Sequence, residues 1–209
     1  MTNPAILEAS PDQNQTGVFP GRWYEGGFYG GRIRVGTHIF AIVWAPVETG
    51  HRTGVFASES AHTNNAQSSC DSMGNTRQMA RSGSEIALWA MNLDISGKKD
   101  WCIPARDVLE LAYRHLKPTS HLNSRHPGDG VNYTSLPRGS SYTPYSPGQT
   151  SASAFTAGGP QTFTEQYYIS STLFGNGSVW AQHFWTGAQG AHKMDLHAGV
   201  RAVRLHLLD

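Results

Sequence analysis

The chain has 209 residues, a formal net charge of +1, 15% charged residues, 23 glycines and 6 tryptophans. It is long enough for one large core, because a domain of roughly 150 residues buries about 70% of its unfolded surface. No basic cluster exceeds Lys98-Lys99, so we expect no nucleic-acid-binding face. No stretch approaches the roughly 18 apolar residues of a membrane span, and residues 1–17 lack the features of a signal peptide. We therefore expect a protein made in a cytoplasm that does not insert into a membrane.

The N-terminal part of the chain predicts an arm followed by β structure. Residues 1–20 are polar and aperiodic, typical of either a disordered tail or an extended arm that docks on a neighbouring subunit. Residues 21–209 are expected to form one domain. Within it, two strand-like runs on either side of Gly36-Thr37 predict a hairpin over residues 32–45, and a short strand is expected within residues 50–56.

Two helices are predicted in the middle of the chain. Residues 58–80, rich in Asn, Ser and Gly, are expected to form a loop ahead of them. The pattern Ser82-Gly83-Ser84-Glu85 fits a capping box, and the apolar spacing that follows predicts a first helix ending at Gly97.

The second helix is predicted from its ends as well as from its apolar face. Pro104 suits a first-turn position, because its missing N–H costs nothing there, and Asp107 complements the helix dipole. Apolar spacing over residues 108–116 gives one buried face, and Pro118 stops the helix.

Residues 119–165 form the longest irregular stretch and are expected to be a long loop insertion. Loops of this length inside a compact domain are usually functional or disordered. Aromatic rings interleaved with Ser, Gly and Pro are typical of recognition loops, where rigid rings supply contact area. The candidate binding residues are therefore Tyr133, Tyr142, Tyr145 and Phe155. The alternative is that these rings fold back on the domain.

The C-terminal segment predicts β structure that closes the domain. Strands are expected at residues 167–172, 179–185, 193–196 and 200–207, with a hairpin turn at residues 174–178. Arg201 and Arg204 would lie on opposite faces of the last strand, so at most one is expected to point inward. An inward arginine would need a partner, because an unpaired buried charge is very costly.

Common catalytic patterns are missing from the sequence. No Gly-rich segment matches a phosphate-binding loop, and no Cys-x-x-Cys or His-Glu-x-x-His motif predicts a zinc site. Asp195 and His197 could share one face of a strand, but a surface polar pair is the expected role. Cys70 and Cys102 are expected to be reduced thiols without an activating histidine. We therefore expect no enzyme activity, no cofactor and no metal, with a weak calcium site in the loop left open.

Four landmarks occur in order along the chain. They are Phe28-Tyr29-Gly30-Gly31, Asn75-Thr76 before Ala87-Leu88-Trp89-Ala90, Trp101-Cys102-Ile103-Pro104 opening a helix, and Tyr168-Ile169-Ser170-Ser171-Thr172 with Val200-Arg201-Ala202-Val203-Arg204 closing the chain. Together they resemble the domain-of-unknown-function family found at the C-termini of collagen-like bacterial adhesins and in tailed-phage virion proteins. The resemblance covers roughly residues 25–207.

The resemblance implies an α+β, C-type-lectin-like fold, with two helices packed on twisted antiparallel strands and long loops that carry binding. It implies no catalytic residues. The acidic triplets of calcium-dependent lectins are missing, so calcium-mediated sugar binding is not implied.

Three functions are compatible with these observations. The first is a virion protein of a phage tail or tail fibre that binds a host surface glycan or protein receptor. The second is a structural virion component, such as a head decoration or tail assembly protein. The third is an enzyme of lectin-like fold, with a glycan-processing or formylglycine-type activity, and a test for reactive thiols at Cys70 and Cys102 would distinguish it. The expected partners are other virion proteins, the host receptor and further copies of the chain, since a homo-oligomer would gain avidity.

Overall fold

The computed structural model describes residues 17–57, 65–175 and 177–208 and has a mixed α+β architecture. The predicted arm lies mostly outside these residues. The four helices of the described chain are α1 (Val47–Gly50), α2 (Ser72–Arg81), α3 (Glu85–Met91) and α4 (Arg106–Leu116). The strands are β1 (Trp23–Tyr24), β2 (Gly27–Val35), β3 (His38–Trp44), β4 (His51–Gly54), β5 (Ser135–Leu136), β6 (Tyr167–Gly175), β7 (Ser178–His183), β8 (Gln189–Lys193), β9 (Ala198–Arg201) and β10 (Val203–Leu207).

The first sheet has the order β1-β2-β3-β10, and β5 pairs with β2. The predicted hairpin at Gly36 is confirmed, since β2 and β3 pair antiparallel with Val35 opposite His38. The pairing register shifts between Tyr29 and Gly31. Gly31 has φ +118° there, and a Cβ would lie 2.7 Å from His115 Nδ1, so only glycine fits without movement.

The second sheet has the order β4-β9-β6-β7-β8 and is antiparallel except for the contact of β6 with β9. The predicted strands at 167–172 and 179–185 correspond to β6 and β7. The predicted strand at 193–196 is wrong. Gln189–Lys193 forms the strand instead, and the Leu196 N–H donates to Lys193 O (3.0 Å), which closes a turn where the strand was expected.

The predicted strand at 200–207 is broken at Ala202. β9 ends at Arg201 inside the second sheet, and β10 begins at Val203 at the edge of the first. The alternation of a single strand does not continue across this break. The expectation that only one arginine points inward is therefore wrong, since Arg201 and Arg204 are 1% and 6% exposed.

The helices differ from the prediction at their ends and in number. Helix α2 lies where a loop was expected, and the Asp71 carboxylate accepts the Gly74 N–H (2.8 Å) at its start. The predicted capping box is wrong, because Ser82 follows the end of α2 and α3 begins at Glu85. The Ser84 hydroxyl instead donates to Phe56 O (2.5 Å).

The predicted second helix is confirmed as α4, which stops before Pro118. The predicted first-turn position of Pro104 is wrong, because the helix begins at Arg106 with Ala105 as its N-cap. Its buried face includes Val108, Leu111 and Leu116, in a core shared with β2 and β3. A second core lies under α2 and α3 against the second sheet. No helix of the described residues is both long and apolar enough to cross a membrane.

The long segment 119–165 is part of the domain rather than an insertion at its surface. Tyr142, Phe155 and Phe163 lie in the same core as α4. Phe163 stacks on Phe184 of the closing segment, with ring centroids 4.5 Å apart. Removing the whole segment would therefore remove part of the core.

Candidate binding site

The four candidate residues of the long segment divide into two pairs. Tyr133 and Tyr145 are 71% and 80% exposed, so both rings are free to meet a ligand. Tyr142 and Phe155 are 6% and 0% exposed. The prediction that Tyr142 and Phe155 contact a ligand at the surface is wrong. Both rings fold back on the domain, which was the alternative.

Tyr142 is held by polar partners as well as by packing. Its hydroxyl donates to Glu110 Oε1 (2.9 Å) and accepts from Gln182 Nε2 (3.1 Å). The Arg114 guanidinium lies 5.2 Å from the ring centroid. Burial, and next the Glu110 carboxylate, raise the pKa of Tyr142 well above its usual value, so the hydroxyl stays protonated and donates. This ring fixes the segment to α4.

A buried lysine and a buried asparagine fasten the outer part of the segment. The Lys117 ammonium donates to His121 O, to Asn123 Oδ1 (2.6 Å) and to Pro147 O (3.3 Å). Asn123 Nδ2 donates to Thr143 O (2.9 Å) and Pro147 O (3.0 Å). Two stretches of the segment that are distant in sequence, around residues 121–124 and 143–147, are thereby tied together.

The turn between β7 and β8 is bonded to the same part of the long segment. The Asn123 N–H donates to Pro144 O (2.9 Å), and the Ser124 N–H donates to Thr186 O (2.7 Å). Next to Thr186, Trp185 stacks on His121 with ring centroids 3.9 Å apart and planes inclined by 18°. Three stretches of chain therefore meet at one surface.

The exposed side chains on these three stretches form what we call the aromatic platform: His121, Leu122, Tyr145 and Trp185. Leu122 and Trp185 are 50% and 38% exposed. Sequence reasoning found Tyr145 but missed the other three. Trp185 was assigned to a predicted strand, whereas β7 ends at His183 and leaves Trp185 at a turn. An aromatic residue directly before Thr186-Gly187 is the signal that could have identified it.

Tyr133 stands apart from the aromatic platform. Asn132 Nδ2 donates to Asp107 O (2.8 Å) and Glu110 Oε2 (2.8 Å), and the Thr134 hydroxyl donates to Asp107 Oδ2 (2.7 Å). The backbone on both sides of Tyr133 is thus held against α4 while the ring points to solvent.

The two thiols lie in surroundings that keep them protonated. Burial raises the pKa of Cys102, whose Sγ lies 3.2 Å from Val203 O, and burial also raises the pKa of the half-buried Cys70. Because the thiolate is the reactive species, neither group is activated as a nucleophile. Within residues 17–57, 65–175 and 177–208, no group of three or more His, Cys, Asp or Glu side chains is arranged to hold a metal ion.

Comparison with known proteins leaves the family open. No protein-family model matches this chain, and a search of curated proteins also finds no match. The resemblance to the adhesin and phage virion family therefore stays a prediction.

Proposed function

We propose that the chain is a non-enzymatic virion protein of a phage tail or tail fibre that binds a host surface glycan or protein receptor through the aromatic platform. One observation carries this proposal. The platform presents exposed rings on backbone that is fastened from below by the buried side chains of Lys117 and Asn123. Backbone that is held in place before binding loses little conformational entropy when a ligand arrives.

The chemistry of the aromatic platform suits a sugar or an extended protein segment. Tyr145 and Trp185 each offer an apolar face together with a polar edge. The stacked His121 adds ring nitrogens that can donate or accept hydrogen bonds. Apolar ring faces pack against the C–H faces of pyranose sugars, and the polar edges bond hydroxyl groups.

A C-type-lectin-like fold is part of this proposal. What supports it is that β1 and β10 belong to one sheet, near opposite ends of the described chain, and that helices pack against twisted strands. The long segment, which such a fold uses for binding, here carries Tyr145 and most of the platform. Assembly into a homo-oligomer would multiply a weak single-site affinity.

Point substitutions on the aromatic platform test the proposal. Purified wild-type chain is applied to an array of bacterial surface glycans and to whole bacterial cells, followed by the variants Tyr145→Ala and Trp185→Ala. Central aromatic contacts of an interface are worth roughly 2 kcal/mol or more, so each variant should bind about 30-fold more weakly or worse. The circular dichroism spectra of both variants should match that of the wild type, which shows that their fold is unchanged.

Phe174→Ala is the matched control, since Phe174 is also an exposed aromatic residue (56%) but lies at the end of β6. It should bind as the wild type does. Equal loss in the control and platform variants, or no binding of the wild type to any glycan or cell, would contradict the proposal. Loss only in Tyr133→Ala would move the site to the other exposed tyrosine.

A structural role in the virion, as a head decoration or tail assembly protein, is the second candidate. It is favoured by two exposed aromatic residues, Phe19 (55%) at the end of the predicted arm and Trp23 (56%) just after it, which offer apolar surface to a neighbouring subunit. Electron microscopy of the particle separates the two functions. Many symmetric copies on the capsid would support the structural role and contradict the tail location.

A further inference from the structure

A recess separate from the aromatic platform lies on the surface formed by α2, the end of α3 and the turn before Trp101. It has a volume of about 550 Å³, within the range of roughly 300–1,000 Å³ typical of small-molecule sites. We call it the cationic groove. It is lined by the cationic side chains of Arg77, Lys98, Lys99 and Arg204, by the single carboxylate of Asp100, and by Met73, Met91 and Trp101.

A tight turn positions the two lysines. Ser96 and Gly97 both have positive φ (53° and 74°), and the backbone N–H and C=O groups of Ile95 and Lys98 bond each other at 3.1 and 3.0 Å. Trp101 Nε1 donates to Lys98 O (2.9 Å), which fixes the turn to a fully buried ring. The backbone that carries Lys98 and Lys99 is therefore held in a fixed conformation.

The charges of the cationic groove are only partly neutralised. Arg204 is used by the fold, since it donates two bonds to Asp100 at 2.7 and 3.0 Å. Lys98 pairs with Glu25 at 2.9 Å. Lys99 has only an exposed pair with Asp94 at 3.5 Å, which contributes little.

Arg77 is the remaining cation. It is exposed on α2, and its side chain has no hydrogen-bond or ion-pair partner among the described residues. Arg77 and Lys99 are therefore the two cations of the groove that remain available to an anion.

The apolar lining narrows the class of ligand. Met73 and Met91 supply flexible, polarizable surface to the lining of the groove. Single-stranded nucleic acid would need exposed rings on which its bases stack. The ring in this groove, Trp101, is fully buried, so it offers no such surface.

We propose that the cationic groove is a binding site for an acidic sugar residue, whose carboxylate or phosphate bonds Arg77 and Lys99 while its C–H face packs on Met73 and Met91. Arg77 suits this ligand because its planar guanidinium can bond two oxygens of one anion. That the sugar belongs to a host surface glycan rests on the proposed function. The preference for an anionic sugar over a neutral one rests on the groove alone.

Titration calorimetry of the full chain tests the groove, first at low ionic strength and then in physiological salt. The probes are trigalacturonate for carboxylates, mannose 6-phosphate for phosphates and chitotriose as a neutral sugar. At least one acidic probe should bind and chitotriose should not. The acidic probe that binds more tightly shows whether the site prefers a carboxylate or a phosphate.

Two substitutions and a matched control decide the assignment. Arg77→Gln and Lys99→Gln should each weaken the acidic probe about tenfold, because each removes a charge-assisted hydrogen bond. Arg81→Gln is the control, since Arg81 is exposed at the end of the same helix and does not line the groove. It should bind as the wild type does.

Three results would contradict the proposed site. The first two are wild-type affinity for the acidic probe in the Arg77→Gln, Lys99→Gln double variant, and equal weakening of that affinity by Arg81→Gln. The third is binding of a thymidine oligonucleotide as tightly as the acidic probe, which indicates general attraction to polyanions. Failure here is distinguishable from failure of the proposed function. Tyr145→Ala leaves the groove intact and should keep the affinity for the acidic probe while losing cell binding.

Discussion

Replacing Arg201 with methionine should destabilise the protein by about 3 kcal/mol. The guanidinium is buried and donates to Ala45 O (2.7 Å), Gln161 O (2.7 Å) and Gln161 Oε1 (2.8 Å). It also lies 5.2 and 4.8 Å from the ring centroids of Phe155 and Phe163. Burial lowers the pKa of Arg201 to about 9, so the group is still charged at neutral pH.

The magnitude follows from the groups that methionine leaves behind. Two backbone carbonyls, of Ala45 and Gln161, would lose the guanidinium that bonds them, and each unpaired buried acceptor costs about 1–3 kcal/mol. Gln161 Oε1 keeps the Val47 N–H as a donor (2.9 Å). The two lost cation–π contacts add roughly 1 kcal/mol each. Relief from burying a charge offsets part of this, because buried charges carry a desolvation cost of several kcal/mol.

Urea unfolding followed by circular dichroism and tryptophan fluorescence measures the loss. Since the whole stability of a domain is about 5–15 kcal/mol, the midpoint should fall clearly while the slope stays the same. Arg201→Lys should recover part of the loss, because one ammonium group cannot meet three oxygens arranged for a planar fork. Arg34→Met, at an exposed strand position, is the matched control and should change stability by less than about 0.5 kcal/mol. If Arg201→Met and Arg34→Met unfold at the same urea concentration, the reasoning is wrong.

Two further predictions concern the thiols and the response to acid. At about pH 8 the folded protein should react slowly with a disulfide reagent at Cys70 and react at Cys102 only in urea, because burial raises both thiol pKa values. A fast-reacting thiol in the native state would contradict this and favour the formylglycine-type enzyme. Desolvation lowers the pKa of His183 and His192 in the folded protein. Below about pH 6.5 the unfolded chain therefore binds protons more readily than the folded one. The contribution of the two neutral histidines to stability is complete above that pH and is lost as the pH falls towards the lowered pKa values. The urea midpoint should therefore fall less on acidification in the His183→Gln, His192→Gln double variant, and an equal fall in both proteins would refute the assignment.

The elements that the sequence predicts well are those whose signals are local. The hairpin around Gly36 has its turn residue and its apolar runs within one short stretch, and α4 has its apolar period together with prolines near both ends. Helix α2 was missed because it buries polar side chains, among them Ser72, Asn75 and Thr76. These side chains are satisfied by partners outside the helix, some of them far away in sequence. Thr76, for example, bonds the Ile103 N–H at 3.0 Å.

The binding site is harder to predict, because burial of a ring depends on partners that the local sequence does not reveal. Tyr142 and Tyr145 lie three residues apart in the same Ser, Pro and Thr context, yet one is 6% exposed and the other 80%. The difference arises from Glu110 and Gln182, which bond the Tyr142 hydroxyl from a helix and a strand on either side of the segment. Likewise, the contact of His121 with Trp185 spans more than sixty residues and has no local pattern.

The break between β9 and β10 at Ala202 affects when the domain can fold during its synthesis. β9 lies between β4 and β6 in one sheet, and one residue later β10 pairs with β3 in the other. Neither sheet is complete until residues 198–207 have left the ribosome, so folding of the whole domain must follow its synthesis. Copies that stop short of this segment would keep β3 and β6 with open edges, available for pairing with other chains. Residues 198–207 therefore complete both sheets at once, and their loss would expose one open edge in each.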